Sequence, residues 1–486
     1  MRICIAYPPI LKDGKYPLLG QNRQFRYSSS EAVRIYPIVP ATAATILHKN
    51  GYDVLFLDGI NKRFSLDTFE EKLNDFDPDL VMIETKTPII KLHWKYIDKL
   101  KKEKDVTIAV VGDHVSNLPE ETLKNSSADY VITGGDYDVG LLGLCNHISK
   151  GSPLPGGVWY REKGQIMNTG EPVRLSDLDT LPFIDRELTG WETYGEAYLY
   201  KPCTYIMSGR GCGGGPRGVG TCTFCVWQHN LWNCKARMRS PGNVAGEIEQ
   251  LVKKYKVKEI FDDNEGGAVW DKNWMRQFHS EMQERDLSGR VMLSTNARAD
   301  ALDTETCRIM KDTGFRLLKV GLESGNNETL KKLNKKETIE DIKTGTKIAK
   351  DHGLIVMLTI MVGYPWETQE DAQRTYDAAR EIMLYKTRFG DSLQASVIVP
   401  YPGTPLYDEA VEKDWFIVDP KDYEKFDMSR TVLKTHPMPH EWCDRMWGIH
   451  KEPMFITKSM LTLRSMNDLK LAYTGYKSVS GHKKDF

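Results

Sequence analysis

The stretch TYIMSGRGCGGGPRGVGTCTFC, residues 204–225, decides how this chain is read. It begins as a short apolar strand and passes into a glycine-rich loop carrying Cys212, Cys222 and Cys225. Soft thiolates select zinc, copper(I) or iron–sulfur clusters over hard cations. A structural zinc site wants a fourth ligand, usually in a second Cys or His pair at fixed spacing. Cys234 is the nearby candidate, and no matching pair surrounds it; Cys203 lies just upstream, at the start of the strand. Three thiolates suit an iron–sulfur cluster that keeps one iron open to a further ligand. On spacing alone, zinc binding and unliganded thiols packed as small hydrophobes stay open as rivals.

Outward from this loop, a β/α series runs from residue 201. Strand patterns near 204–208, 258–262, 291–295, 316–322, 355–361 and 394–399 alternate with helical patterns over 242–255, 271–284, 303–312, 336–351 and 368–385. Six such units predict a partial (β/α)6 barrel with its function at the C-terminal strand ends. Ahead of it, apolar strands at 3–7, 53–57, 80–83, 108–111 and 130–132 alternate with helices such as Pro40–Asn50. That predicts an α/β, flavodoxin-like, doubly wound parallel sheet. The expected organisation is a first domain over 1–150, a connector over 151–200, the barrel over 201–410 and a mainly helical C-terminal segment over 411–486. That last segment clusters Trp442, Trp447, His450 and Tyr473, which would close over the barrel.

At 486 residues, 40% hydrophobic and 27% charged, the composition is that of a globular protein of two to four domains. A net charge of -1 gives no electrostatic reason to expect nucleic acid. No apolar run approaches the ~18–20 residues that cross a bilayer, and the N-terminus lacks a signal-peptide pattern. Nine cysteines at irregular spacing do not form a disulfide framework. A cytoplasmic location is expected, where an oxygen-labile cluster survives.

The cysteine loop resembles that of the radical S-adenosylmethionine (SAM) superfamily, whose usual signature is C-x3-C-x2-C after the first barrel strand. The Ser208-Gly209-Arg210-Gly211 lead-in and Phe224 match, whereas residues 213–221 put nine positions between the first two cysteines. Further motifs stand at successive strand ends. Asp262 and Asp263 end the second strand, Asn296 and Arg298 the third, Glu323 and Ser324 the fourth, and Gly363 and Pro365 the fifth. The resemblance implies a 4Fe–4S cluster on Cys212, Cys222 and Cys225, with SAM held by those eight residues. Singly, each has a plain alternative: Asp262 and Asp263 as helix caps, Glu323 as a solvated carboxylate, Gly363 and Pro365 as turn punctuation.

The first domain resembles the cobalamin-binding domain found ahead of many radical SAM enzymes, through Tyr7-Pro8-Pro9, Gly51-Tyr52-Asp53, Asp77-Pro78-Asp79 and Asp113-His114, whereas the turn Gly134-Gly135-Asp136 departs from the common G-E-G-E form. Tyr7, Pro8, Asp113, His114, Gly134 and Gly135 are the implied cobalamin contacts. The D-x-H-x-x-G motif that supplies a histidine to cobalt is absent from the loop after the first strand. Methylcobalamin bound base-off, with no histidine ligand, is expected, and His48 reads as a surface residue. His114 is expected to touch the corrin edge.

Together these resemblances imply a radical SAM C-methyltransferase acting on an unactivated carbon, such as a protein or peptide side chain (for example in methyl-coenzyme M reductase). The alternative is ring formation, elimination or oxidation of a small metabolite or lipid without methyl transfer. Expected partners are the substrate and an electron donor such as ferredoxin or flavodoxin. Tyr364, Glu367 and Asp391 are candidate bases, and no catalytic residue is assigned among them.

Overall fold

The computed structural model describes residues 1–19, 25–29, 33–213, 221–264, 269 and 271–485. Five parallel strands form the first sheet: β1 (Arg2–Tyr7), β2 (Asp53–Asp58), β3 (Leu80–Thr85), β4 (Thr107–Gly112) and β5 (Tyr130–Ile132). Their spatial order is β2-β1-β3-β4-β5, the doubly wound arrangement expected from the alternating pattern. β3 is buried along its whole length, as a central strand covered by helices on both faces must be. Helix α1 (Ile38–Lys49) has Pro40 in its first turn, where no intrahelical N–H is needed.

Part of the predicted connector belongs to this sheet. Strands β6 (Val158–Glu162) and β7 (Gln165–Asn168) form a hairpin that pairs antiparallel onto β5. Most of its side chains are partly or fully exposed, so no apolar alternation marks it in the sequence.

The second sheet holds β8 (Cys203–Ile206), β9 (Glu259–Asp262), β10 (Met292–Ala297), β11 (Phe315–Glu323), β12 (Ile355–Val362) and β13 (Ser392–Val397). All pairs are parallel and in chain order, with β8 and β13 left as unpaired edges among the described residues. The crossover helices start where the sequence offers caps. Thr338 and Thr368 each form a capping box, with Asp341 and Asp371. In the C-terminal segment, helix α2 (Pro439–Gly448) packs along β13 and buries Trp442, whereas Tyr473 is exposed. One apolar core is continuous from Ile3 and Ile5 through Tyr205 to Leu318 and Ile360. No helix among the described residues is long and apolar enough to cross a membrane.

Candidate functional site

The three cysteines follow β8 directly, and each is half-buried. Gln228 Oε1 accepts the Cys212 N–H at 2.8 Å, and the Cys225 N–H donates to the Cys222 carbonyl at 3.0 Å. The loop at 333–335 buttresses this turn: Thr223 N–H donates to Leu333 O at 3.0 Å and Asn334 Nδ2 to Thr221 O at 3.1 Å. Burial pushes the Cys222 thiol up to about 11, while the Lys335 ammonium and the Arg298 guanidinium pull it back towards the thiolate. Residues 214–220, most of the insert, lie outside the described residues. Among the described residues no three Cys, His, Asp or Glu side chains converge on a single metal-ion position. A cluster asks for something else, one thiolate per iron, and a loop offering three thiols beside two cations has the donor chemistry for it.

The strand ends supply the rest. Cys225 and Phe224 share a cavity of about 180 Å³ with Asp263 after β9, Asn296 on β10 and Glu323 on β11. Asn296 Nδ2 donates to Asp263 Oδ1 at 2.9 Å, which fixes both. Glu323 sits at a register shift with φ +58°, a left-handed backbone rarely tolerated by a non-glycine residue. Lys335 Nζ stands 3.5 Å from its carboxylate and 3.2 Å from Glu337.

Other nominated residues do different work. Asp262 uses its carboxylate on Ser208, through N–H at 2.8 Å and hydroxyl at 2.6 Å, and on Asn264 Nδ2 at 2.7 Å. It therefore ties β8 to β9 and does not line the cavity. Ser324 is fully buried and donates to Glu367 Oε1 at 2.7 Å, so it anchors the β12 turn from below. Arg298 is held by Asp300 at 2.9 Å and acts on Cys222 through its charge. Gly363 has φ +94° and faces Pro439 of α2, and Pro365 continues that turn. Of the candidate bases, Tyr364 and Glu367 are buried outside the cavity lining, and Asp391 is locked to Lys350 at 3.0 Å.

In the first domain, Tyr7 donates to Glu84, which also accepts from Tyr137 at 3.1 Å. Pro8 follows Tyr7 at the end of β1. Asp113 pairs with Lys86 at 3.2 Å. His114 is completely buried, bonded to Thr87 Oγ1 at 3.1 Å, 3.4 Å from Glu121 and packed edge-on against Tyr423 at 4.8 Å. Gly134 faces Pro172, and Gly135 lies flat against Trp232, where an added Cβ would be 2.1 Å from the ring. His48 is exposed at the end of α1, as expected.

A second pocket opens beyond the C-terminal ends of β1 and β2, lined by Tyr7, Leu18, Leu19, Ile35, Asp58 and Asn61 among others. Asn61 Oδ1 is buried with no hydrogen-bond partner. The pocket's free space is about 20 Å³, room for a water and not for a corrin ring, and Arg34 and Arg63 add charge to its lining, so this pocket does not fit cobalamin.

Sequence reasoning missed Gln228, Lys335 and Lys319, the last a cation on the inner face of β11 that lines the cavity. None lies in a motif, and their roles come from contacts that only the fold creates.

Residues 206–379 match the Radical SAM superfamily and residues 33–139 match the B12 binding domain. The chain is 26% identical over 434 residues to the anaerobic magnesium-protoporphyrin IX monomethyl ester cyclase of Rubrivivax gelatinosus, covering 87% of this chain and 74% of that one. It is 24% identical over 389 residues to an uncharacterized methyltransferase of Pyrococcus horikoshii, covering 79% and 80%. Among solved structures, the radical SAM methyltransferase TsrM of Kitasatospora setae, with cobalamin and a 4Fe–4S cluster bound, aligns with TM-score 0.66. That alignment spans 92% of this chain and 88% of the other at 15% identity, a likeness of fold.

Proposed function

We propose that this chain, a cobalamin-dependent radical SAM enzyme by its two domains, transfers a methyl group to an unactivated carbon. Domains of these two kinds use a 4Fe–4S cluster with SAM, and cobalamin; when bound, these groups supply the one-electron cleavage of SAM and the methyl group. The observation that carries the reading is the meeting of Cys225, Asp263, Asn296 and Glu323 on one cavity, from four separated stretches of chain.

In this reading Cys212, Cys222 and Cys225 hold the cluster. Asp263 and Asn296 present carboxylate and carboxamide oxygens to the ammonium of SAM, the Asn296 Nδ2 being spent on Asp263 and Asn264, and Glu323 offers a bidentate carboxylate to the ribose diol. Lys335, 3.5 Å away, orients that carboxylate. The first domain would hold methylcobalamin base-off, with no histidine on cobalt. A ferredoxin or flavodoxin would deliver the electron. The methyl acceptor is a protein or peptide side chain, as in methyl-coenzyme M reductase, or a small molecule. Ring formation is the second reading, favoured by the 26% identity to a cyclase. Product analysis separates the two: methylation yields a product heavier by one methylene together with S-adenosylhomocysteine and 5′-deoxyadenosine. Deoxyadenosine with no methylated product rejects it.

A further inference from the structure

Below the strand ends, the cavity carries three polar side chains without a hydrogen-bond or ion-pair partner among the described residues. Lys319 on β11, Thr359 on β12 and Gln394 on β13 all line it. Among the described residues none of the three makes a side-chain hydrogen bond or ion pair within the protein. They belong to neighbouring strands: Thr359 pairs in register with Gln394, and Gly321 pairs with Thr359 on the other side. Lys319 and Glu323 both line the cavity from β11, and the Glu323 carboxylate and the Lys335 ammonium lie over Gly321 between them.

The surroundings of Lys319 are those of a cation awaiting a partner. Its ammonium lies 5.4 Å from the ring centres of both Tyr198 and Phe261. The cavity's own carboxylates are engaged elsewhere, Glu323 by Lys335 and Asp263 by Asn296. A half-buried ammonium with two ring faces and no ion-paired carboxylate loses hydration without full compensation. Met361, Ile398 and Val399 provide an apolar wall between this end and Cys225.

We propose that Lys319, Thr359 and Gln394 form an anion subsite that recognises the substrate. A carboxylate or phosphate sits against the Lys319 ammonium, the Thr359 hydroxyl and the Gln394 carboxamide add hydrogen bonds, and the carbon skeleton runs along the apolar wall. The substrate class is therefore a molecule, or a side chain, bearing an anionic group at one end. This deepens the radical SAM reading and rests on it for the direction in which the skeleton points; the recognition of charge stands apart from it.

The test is anaerobic calorimetry on cluster-loaded, cobalamin-loaded protein with S-adenosylhomocysteine added, using octanoate, octyl phosphate and neutral octanamide as probes. Wild type should prefer an anionic probe over octanamide by roughly tenfold or more. The preference should vanish in K319Q, persist in K319R and weaken in Q394A. Equal iron content in all four proteins shows that the substitutions left the fold intact. Stronger binding of octyl phosphate assigns a phosphate, and stronger binding of octanoate a carboxylate. Equal binding of anion and amide, no binding of any probe, or a preference that survives in K319Q overturns the subsite. Failure of the radical SAM reading would show separately, as wild type that cleaves no SAM.

Discussion

Glu367 illustrates how much the site's chemistry depends on single buried groups. Burial pushes its carboxyl up to about 7, against the opposing hydrogen bond from Ser324. Because the folded value lies above the ordinary 4.5, the native state holds this proton more tightly than the unfolded chain does. The contribution is complete below about pH 4.5 and is lost as pH rises to about 7, by roughly 3 kcal/mol for a shift of this size. Glu367→Gln removes the titration. Denaturation midpoints at pH 5 and pH 8 should therefore fall less for the variant than for wild type, and equal falls would assign the shift elsewhere. At this scale, the meeting of Cys225, Asp263, Asn296 and Glu323 on one cavity was legible because each ends or follows a recognisable strand. Asp262 and Ser324 stand in the same motifs, yet their side chains serve neighbouring strands. Which of two adjacent polar residues faces a cavity depends on local twist, which letters do not carry.

The elements themselves were read closely. Strand patterns at 80–83 and 355–361 became strands over Leu80–Thr85 and Ile355–Val362, because fully buried parallel strands are continuous apolar runs. The β6–β7 hairpin escaped notice for the opposite reason: it is an edge with most side chains at least partly exposed. The turn after β5 is the element whose role changed most. Gly135 packs on Trp232, and its N–H donates to Leu231 O at 2.9 Å, so this turn docks the segment that follows the cysteines. Gly135→Ala should force the indole away and lower stability by about 1–3 kcal/mol. Trp232→Ala in the same chain should recover part of that loss, measured as a non-additive double-mutant cycle. Strict additivity would mean that the two residues do not meet.

Across the whole molecule, charge and ring packing lock the two sheets together. Arg210, from the cysteine loop, is buried between Asp136 at 2.7 Å and Asp138 at 2.5 Å, and Arg237 also pairs with Asp136. Trp232 lies under both guanidinium groups, at 5.7 Å and 5.9 Å. Asn230 Nδ2 adds a bridge, donating to Asp113 O at 3.0 Å and Pro402 O at 2.9 Å. The C-terminal strand ends of both sheets thus face one another across this seam. Arg210→Met would strand the Asp138 charge in the interior and cost about 3–5 kcal/mol, with partial recovery when Asp138→Asn is added. A variant as stable as wild type in urea would show the seam to be dispensable. None of this seam was readable beforehand, since its hydrogen-bonded partners lie 72 to 172 residues apart in the chain.

The central claim is that three thiolates at the end of β8 hold a cluster that cleaves SAM beside Asp263, Asn296 and Glu323. The most direct measurement is 5′-deoxyadenosine formed by anaerobically reconstituted protein after reduction, compared with the Cys212→Ala, Cys222→Ala and Cys225→Ala variants. Wild type should bind the cluster and release 5′-deoxyadenosine, and each variant should lose both. Cluster-loaded wild type that leaves SAM intact, or any one variant that cleaves it at the full rate, would contradict the account.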